Sequence, residues 1–360
     1  MYPNAGRHPA AGRLSAPPPV NPAKEKMTMR ATRNILGVTM AIFLAAAWGA
    51  GPAGDPAMAA DKTVLKVVSA WGKNNKMNDA LWILQAKAKE GSQGRLELNF
   101  VGGPETIPAF QLVEALRNGV VDIAWTAHTY NVAQVPVVEG AKLSALSPAA
   151  ERARGVHDFY RQVYLEKLNA VYLGKGTPGL TYNLYAAEPV RSIADFKGMA
   201  VRVTPAYKAF VEALGAAPVT TDPGEVYTAL ERKMVKAYGW PSLGISDFGW
   251  DSVTRVVIEP AFYQVDVIAL VNSTAWAKLP QQLQETLAAA MQATEAEAEK
   301  HFAQLIQEDR RQLIAKGVKE VKLAGDESRR YLETAYDAAW KEVLRKDEPG
   351  GRKLRELFAK

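Results

Sequence analysis

Thr63-Val64-Leu65-Lys66-Val67-Val68-Ser69 is a short run of β-branched and aliphatic residues, and it predicts a buried first strand. It ends in Ala70-Trp71-Gly72. A helix is predicted over residues 78–90, where Ala80, Leu81, Ile83, Leu84 and Ala88 fall broadly on one side, with Gly91 and Gly94 stopping it. Residues 95–101 alternate Leu96, Leu98 and Phe100, the pattern of a half-buried strand. After the loop Gly102-Gly103-Pro104 a helix is predicted over 109–118, Gly119 is its C-terminal cap, and 120–125 is the next strand. The order β-α-β-α-β is that of a parallel α/β sheet.

A second unit of the same kind begins after Pro189. Strands are predicted over 199–203, 217–220 and 234–238, with helices over 205–214 and 225–231 between them. Residues 280–316 are rich in Ala, Gln, Glu and Leu, without an internal Gly or Pro, and predict one or two long helices. A strand over 318–323 and a helix over 327–344 follow. The halves echo one another. Glu114-Ala115-Leu116-Arg117-Asn118-Gly119-Val120-Val121-Asp122 runs on to Trp125, and Thr228-Ala229-Leu230-Glu231-Arg232-Lys233-Met234-Val235-Lys236 runs on to Trp240. Two such lobes place strand ends on a shared cleft, where open α/β sheets bind ligands.

Composition narrows the function. The 360 residues are enough for two domains, and 48% hydrophobic with 23% charged residues is ordinary for a globular chain. There is no cysteine, which excludes thiolate catalysis, iron–sulfur clusters, Cys-based zinc and disulfides. Most of the formal charge of +6 belongs to residues 1–60, which hold six basic side chains (Arg7, Arg13, Lys24, Lys26, Arg30, Arg33) against Glu25 and Asp55. No basic stripe follows, so nucleic acid is not an expected partner. Arg30 and Arg33 precede an apolar run over 35–50, and Ala57-Met58-Ala59-Ala60 follows. That is a signal peptide, cleaved near Ala59 or Ala60, and it predicts a periplasmic mature protein. The apolar run is shorter than the ~20 residues of a spanning helix. Met27 and Met29 are alternative starts to Met1.

Val190-Arg191-Ser192-Ile193-Ala194-Asp195-Phe196-Lys197-Gly198-Met199-Ala200-Val201-Arg202-Val203, then Leu214-Gly215-Ala216-Ala217-Pro218-Val219 and Glu225-Val226-Tyr227-Thr228-Ala229-Leu230, carry a resemblance. With Gly102-Gly103-Pro104-Glu105 and the stretch from Asn272 to Leu279-Pro280, they are similar to the solute-binding subunits of tripartite ATP-independent periplasmic (TRAP) transporters, the dicarboxylate-binding-protein-like family. The resemblance implies a two-lobe periplasmic binding fold, type II-like, with crossovers between the lobes and a long helix spanning both. The expected lobes are 61–180 plus 265–300, and 181–264 plus 301–360. It implies closure around a small organic acid, two membrane subunits as partners and an ion gradient as energy source. Presentation of the ligand to a membrane sensor is the alternative, and a periplasmic enzyme the weaker one: no G-x-S-x-G, H-E-x-x-H, Walker A or G-x-G-x-x-G motif is present. No cofactor is expected.

Arg202 matches the family arginine that pairs with the ligand carboxylate. A guanidinium offers carboxylate a planar bidentate fork; the alternative is a solvated arginine on the polar face of a strand. Trp71, Trp125, Tyr130, Tyr238 and Trp240 fall at predicted strand ends or in the loops after them, and are candidates for the pocket wall or for ordinary core. Glu105 is a candidate from the loop. His128 is expected to be structural. The family's second arginine is missing from Thr177-Pro178-Gly179-Leu180-Thr181-Tyr182-Asn183, and Lys233-Met234-Val235-Lys236-Ala237 replaces the usual Gly-Val-Val-Asp-Gly. That puts the turn geometry and any polar contact from the aspartate position in question, and leaves open whether Lys233 and Lys236 alter the usual site; Lys236 is read as a second positive charge or, by default, a surface residue. Tyr238-Gly239-Trp240-Pro241 stands where some relatives carry a metal-holding acid, so no metal is expected.

Overall fold

The computed structural model describes residues 62–359; the leader and the cleavage site expected over residues 1–60 lie outside the described residues. The first half runs β1 (Thr63–Ser69), α1 (Asp79–Gly91), β2 (Leu96–Gly102), α2 (Leu112–Arg117), β3 (Ile123–Ala127), α3 (Pro148–Ala153), α4 (Val156–Leu168) and β4 (Ala170–Lys175). The chain then enters β5 (Tyr182–Ala186), β6 (Ala200–Val203), α5 (Lys208–Ala213), β7 (Ala217–Thr220), α6 (Val226–Glu231), β8 (Ala237–Pro241) and β9 (Val256–Glu259). It returns as β10 (Val267–Asn272) and α7 (Ser273–Lys278), and finishes with α8 (Gln281–Ala315), β11 (Lys319–Lys322), α9 (Gly325–Lys346) and α10 (Glu348–Ala359).

Two sheets result, ordered β2-β1-β3-β10-β4 and β11-β9-β5-β8-β6-β7. In the first, β1 is parallel to β2 and β3, as the β-α-β-α-β pattern predicts, while β10 runs antiparallel between β3 and β4. In the second, β5 runs antiparallel between β8 and β9. Each lobe therefore holds one antiparallel strand next to a chain crossover, β10 in the first and β5 in the second. Both sheets are covered on both faces. Along β10, Val267, Ala269 and Val271 enter the core beneath α1 and α8, and Ile268 and Leu270 enter the core beneath α2 and α4. In the second sheet Leu184, Val201, Val203 and Ile258 face α5 and α9, while Tyr185, Tyr238 and Val257 face the opposite layer.

The apolar segment 280–316 is largely a single helix of 35 residues, about 50 Å long at ~1.5 Å per residue. Its Leu283, Leu287, Met291 and Phe302 belong to the first lobe's core, and Leu313 to the second's, so α8 spans both. The last helix crosses back: Leu354 and Leu357 pack with Val156, Tyr160 and Tyr164 of the first lobe.

Two strands begin later than their β-branched content predicts, for one reason. After α2, Val120 N–H donates to Ala115 O and Gly119 N–H to Leu116 O; after α6, Met234 N–H donates to Ala229 O and Lys233 N–H to Leu230 O. Both are Schellman caps. Val120 and Met234, 57% and 62% exposed, are spent closing the helices. Gly119 sits at φ +72° and Lys233 at φ +58°. The echo between the halves is thus a shared cap geometry, and Lys233 keeps the turn that the missing glycine put in question. A left-handed non-glycine costs roughly 1–2 kcal/mol.

Candidate functional site

A cavity of about 1130 Å³ lies between the lobes. The first lobe lines it with Trp71, Phe110 and Tyr130, and the second with Arg202, Tyr207, Trp240 and Phe248; Tyr182, just past the first crossover, also faces it. Trp71 follows β1 directly, Tyr130 lies in the turn after β3, and Trp240 is near the end of β8. These are C-terminal strand ends, where the topology places a ligand.

Arg202 is 1% exposed. Val201 and Val203 turn into the core of the second lobe, and the pleat sends Arg202 the other way, toward the cleft. Its Nε and Nη2 donate to Thr221 O at 3.2 and 2.9 Å, and its Nη1 to the Tyr207 hydroxyl at 3.2 Å and Gly239 O at 3.4 Å. The guanidinium carbon stands 5.6 Å from the Trp240 ring centroid. Among the described residues no carboxylate pairs with it. The alternative of a solvated surface arginine is overturned: this is a buried cation held by neutral oxygens and one aromatic face. Of five N–H groups, one on Nη2 has no protein acceptor, and the longest of the four bonds lies on adjacent Nη1. The Nη1/Nη2 edge is therefore the side a carboxylate can take.

Tyr207 positions that edge. Its hydroxyl donates to Gly239 O at 2.6 Å, and its ring lies where a Cβ on Gly239 would come within 2.4 Å. Only glycine allows this approach. Burial raises the Tyr207 hydroxyl above its ordinary value against the pull of Arg202. Burial likewise pushes Tyr130 up to about 12, again with Arg202 opposing. Both phenols stay neutral donors at neutral pH.

The structure brings Arg202, Trp240, Tyr130 and Trp71 together in one cavity and leaves three candidates elsewhere. Trp125 is fully buried in the first lobe; its indole N–H donates to Met77 O at 2.8 Å, and its ring fills the space that Gly176 leaves free. Tyr238 shares a face with Trp240 but sits one pleat deeper, stacked on Tyr185 with its hydroxyl 2.6 Å from Thr254 Oγ1. Glu105 closes its own loop, accepting from Gly103 N–H at 2.6 Å. Lys236 supplies no second charge to the cleft, since it pairs with Glu188 at 3.0 Å on the surface. His128 is buried, with Nδ1 2.9 Å from the Tyr164 hydroxyl. Among the described residues no three His, Asp or Glu side chains converge as a metal site.

Sequence reasoning missed Tyr182, Tyr207, Phe110, Phe248 and the Gly239 carbonyl. The available signals were slight: Tyr207 stands five residues after Arg202, and Phe110 is an aromatic at a helix start soon after the Gly102-Gly103-Pro104 loop.

Comparisons with known proteins bear on the family and the fold. The family model described as bacterial extracellular solute-binding protein, family 7, matches residues 67–347. The chain is 23% identical over 232 residues to the monocarboxylate 2-oxoacid-binding periplasmic protein of Nostoc sp. (strain PCC 7120), covering 61% of this chain and 63% of that protein. It is 23% identical over 290 residues to the 2,3-diketo-L-gulonate-binding periplasmic protein of Escherichia coli K12, covering 78% and 84%. Among solved structures, a TRAP periplasmic solute-binding protein from Desulfovibrio salexigens with bound orotic acid superposes with a TM-score of 0.73 at 19% identity, covering 83% of this chain and 98% of that one. The resemblance in sequence and the two-lobe architecture lead to the same place: the chain belongs to family 7 of the bacterial extracellular solute-binding proteins.

Proposed function

We propose that the protein captures a small organic acid in the cleft and delivers it to the two membrane subunits of a TRAP-type transporter. One observation carries the reading. Arg202 is a buried cation with no carboxylate partner among the described residues, and it faces the cavity between the lobes. Burying an uncompensated charge is costly, and a ligand carboxylate removes that cost. A 2-oxoacid, 2,3-diketo-L-gulonate and orotic acid, named for the relatives above, each carry such a group. Trp71, Tyr130 and Trp240 are the proposed walls, with Tyr207 holding Arg202 in place.

The lobes, residues 61–180 plus 265–300 and 181–264 plus 301–360, are proposed to close by a hinge at the two crossovers. Residues 1–60 are proposed as the exported leader. Among the described residues no helix is long and apolar enough to cross a membrane.

Calorimetric titration tests the reading, using the best ligand from a thermal-shift screen of organic acids. Arg202→Ala removes one partner of a buried charged pair, a loss on the order of 2–5 kcal/mol. At ~1.4 kcal/mol per decade that is roughly 30-fold to several thousand-fold in affinity. Binding within threefold of the parent would return Arg202 to a purely structural role.

A further inference from the structure

Resting on the carboxylate reading of Arg202, we infer that the ligand class is an aromatic monocarboxylate: one carboxylate on a planar ring, without a second anionic group.

The walls favour a ring. Trp71 and Tyr130 meet with centroids 5.8 Å apart, and Phe110 meets Tyr130 edge-on at 4.9 Å. Across the cleft Trp240 meets Phe248 edge-on at 5.3 Å, and Tyr182 lies 5.3 Å from Tyr207. Both lobes thus present ring surfaces to one cavity, and offset or edge-on ring pairs gain about 0.5–1.5 kcal/mol beyond area burial. Phe110 is 55% exposed. A large apolar ring left open to water at the rim of a cleft gains most when a flat apolar body covers it.

The charges favour one anionic group. The cavity's charged lining is Lys73 and Arg202 against Asp222, Glu225 and Asp247. Lys73 is exposed, so Arg202 is the one buried cation of that lining. Asp222 acts on Tyr130 through space from the rim, and Asp247 is engaged with Lys76 at 3.4 Å. A second carboxylate beyond Arg202 meets three acids against the single exposed Lys73.

Isothermal titration of the mature protein with five probes tests this: phenylacetate, cyclohexylacetate, succinate, 4-carboxyphenylacetate and phenylacetamide. Phenylacetate should bind tightest. Cyclohexylacetate, of similar size but saturated, should be about 3- to 10-fold weaker, the ring-pair gain expressed as affinity. Succinate and 4-carboxyphenylacetate should each be at least tenfold weaker. Phe110→Ala should reduce the preference for phenylacetate over cyclohexylacetate, and Asp222→Asn should narrow the gap to 4-carboxyphenylacetate. Cyclohexylacetate or either diacid equalling phenylacetate overturns the aromatic monocarboxylate class while leaving Arg202 as the clamp. Phenylacetamide binding as tightly as phenylacetate overturns the carboxylate reading itself. No binding by any probe up to millimolar concentration overturns the aromatic class, and the wider acid screen then judges Arg202 separately.

Discussion

The molecule buries cations in two regions and treats them differently. In the first lobe Lys175 pairs with Glu151 at 2.6 Å, Glu151 also accepts from Ser144 Oγ, and the partly buried Arg152 pairs with the buried Glu295 at 2.8 Å. Lys142 pairs with Glu139, which also accepts from Lys346 at 2.9 Å. Each of these cations has a carboxylate from the chain. In the cleft, Arg202 is as deeply buried and has only carbonyls, a phenol and a ring face. The chain neutralises the cations that hold its fold and leaves the cleft cation without a carboxylate, which is the place proposed for that of the ligand. Neutral oxygens keep Arg202 in place without competing for its charge.

The largest expected effect breaks the paired side. Glu151→Ala leaves Lys175 buried without its carboxylate, and should cost about 3–5 kcal/mol of unfolding free energy. Chemical denaturation of the ligand-free variant measures it; a loss below about 1 kcal/mol would mean that the Lys175–Glu151 pair does not hold the fold.

Asp266 sharpens the comparison, because it is a buried acid with no direct partner. Neither carboxylate oxygen has a hydrogen-bond partner among the described residues. Burial pushes it up to about 7, with Lys142 and Lys175 pulling it down and Glu139 raising it further. Its folded value thus lies above the unfolded ~3.9, so the folded state binds more protons between the two. Its contribution to stability is therefore fully present below about pH 4 and is lost as pH rises toward 7. Asp266→Asn should be more stable than the parent by on the order of 2–4 kcal/mol at pH 8, with the difference vanishing near pH 4. Equal stabilities at both pH values would show that Asp266 is not held unpaired.

The smallest effect marks the control. Lys236→Ala removes an exposed pair with Glu188 and should change stability by less than about 1 kcal/mol, with ligand affinity held within twofold. A larger loss of affinity would restore Lys236 as a second cleft charge.

Periodicity made the parallel half of each sheet legible, because β1, β6 and β7 are apolar runs followed or preceded by helices with glycine caps. The crossover strands β5 and β10 were not resolved from the surrounding chain; their partners lie in segments distant in sequence, and no local pattern encodes antiparallel insertion. The site was legible in part. Arg202, Trp71, Tyr130 and Trp240 lie at strand ends, and end position is what sequence spacing can see. Trp125 and Tyr238 share strands with cleft residues, but depth along the strand decides between core and cleft. The paired interior was invisible because Lys142, Lys175, Glu139 and Glu151 read as solvated by default.

Thermal unfolding of Arg202→Met, with and without the parent's best organic acid, separates an arginine that holds the ligand from one that holds the fold. Methionine keeps much of the side chain's bulk and removes the charge. Without ligand the variant should unfold at the parent's temperature or above it, because an uncompensated buried charge has been removed. At 100 times the parent's dissociation constant the acid should stabilise the parent by about 2.7 kcal/mol and leave Arg202→Met unmoved. A variant that is destabilised alone yet keeps the full ligand-induced shift would contradict the account, for Arg202 would then hold the fold and not the ligand.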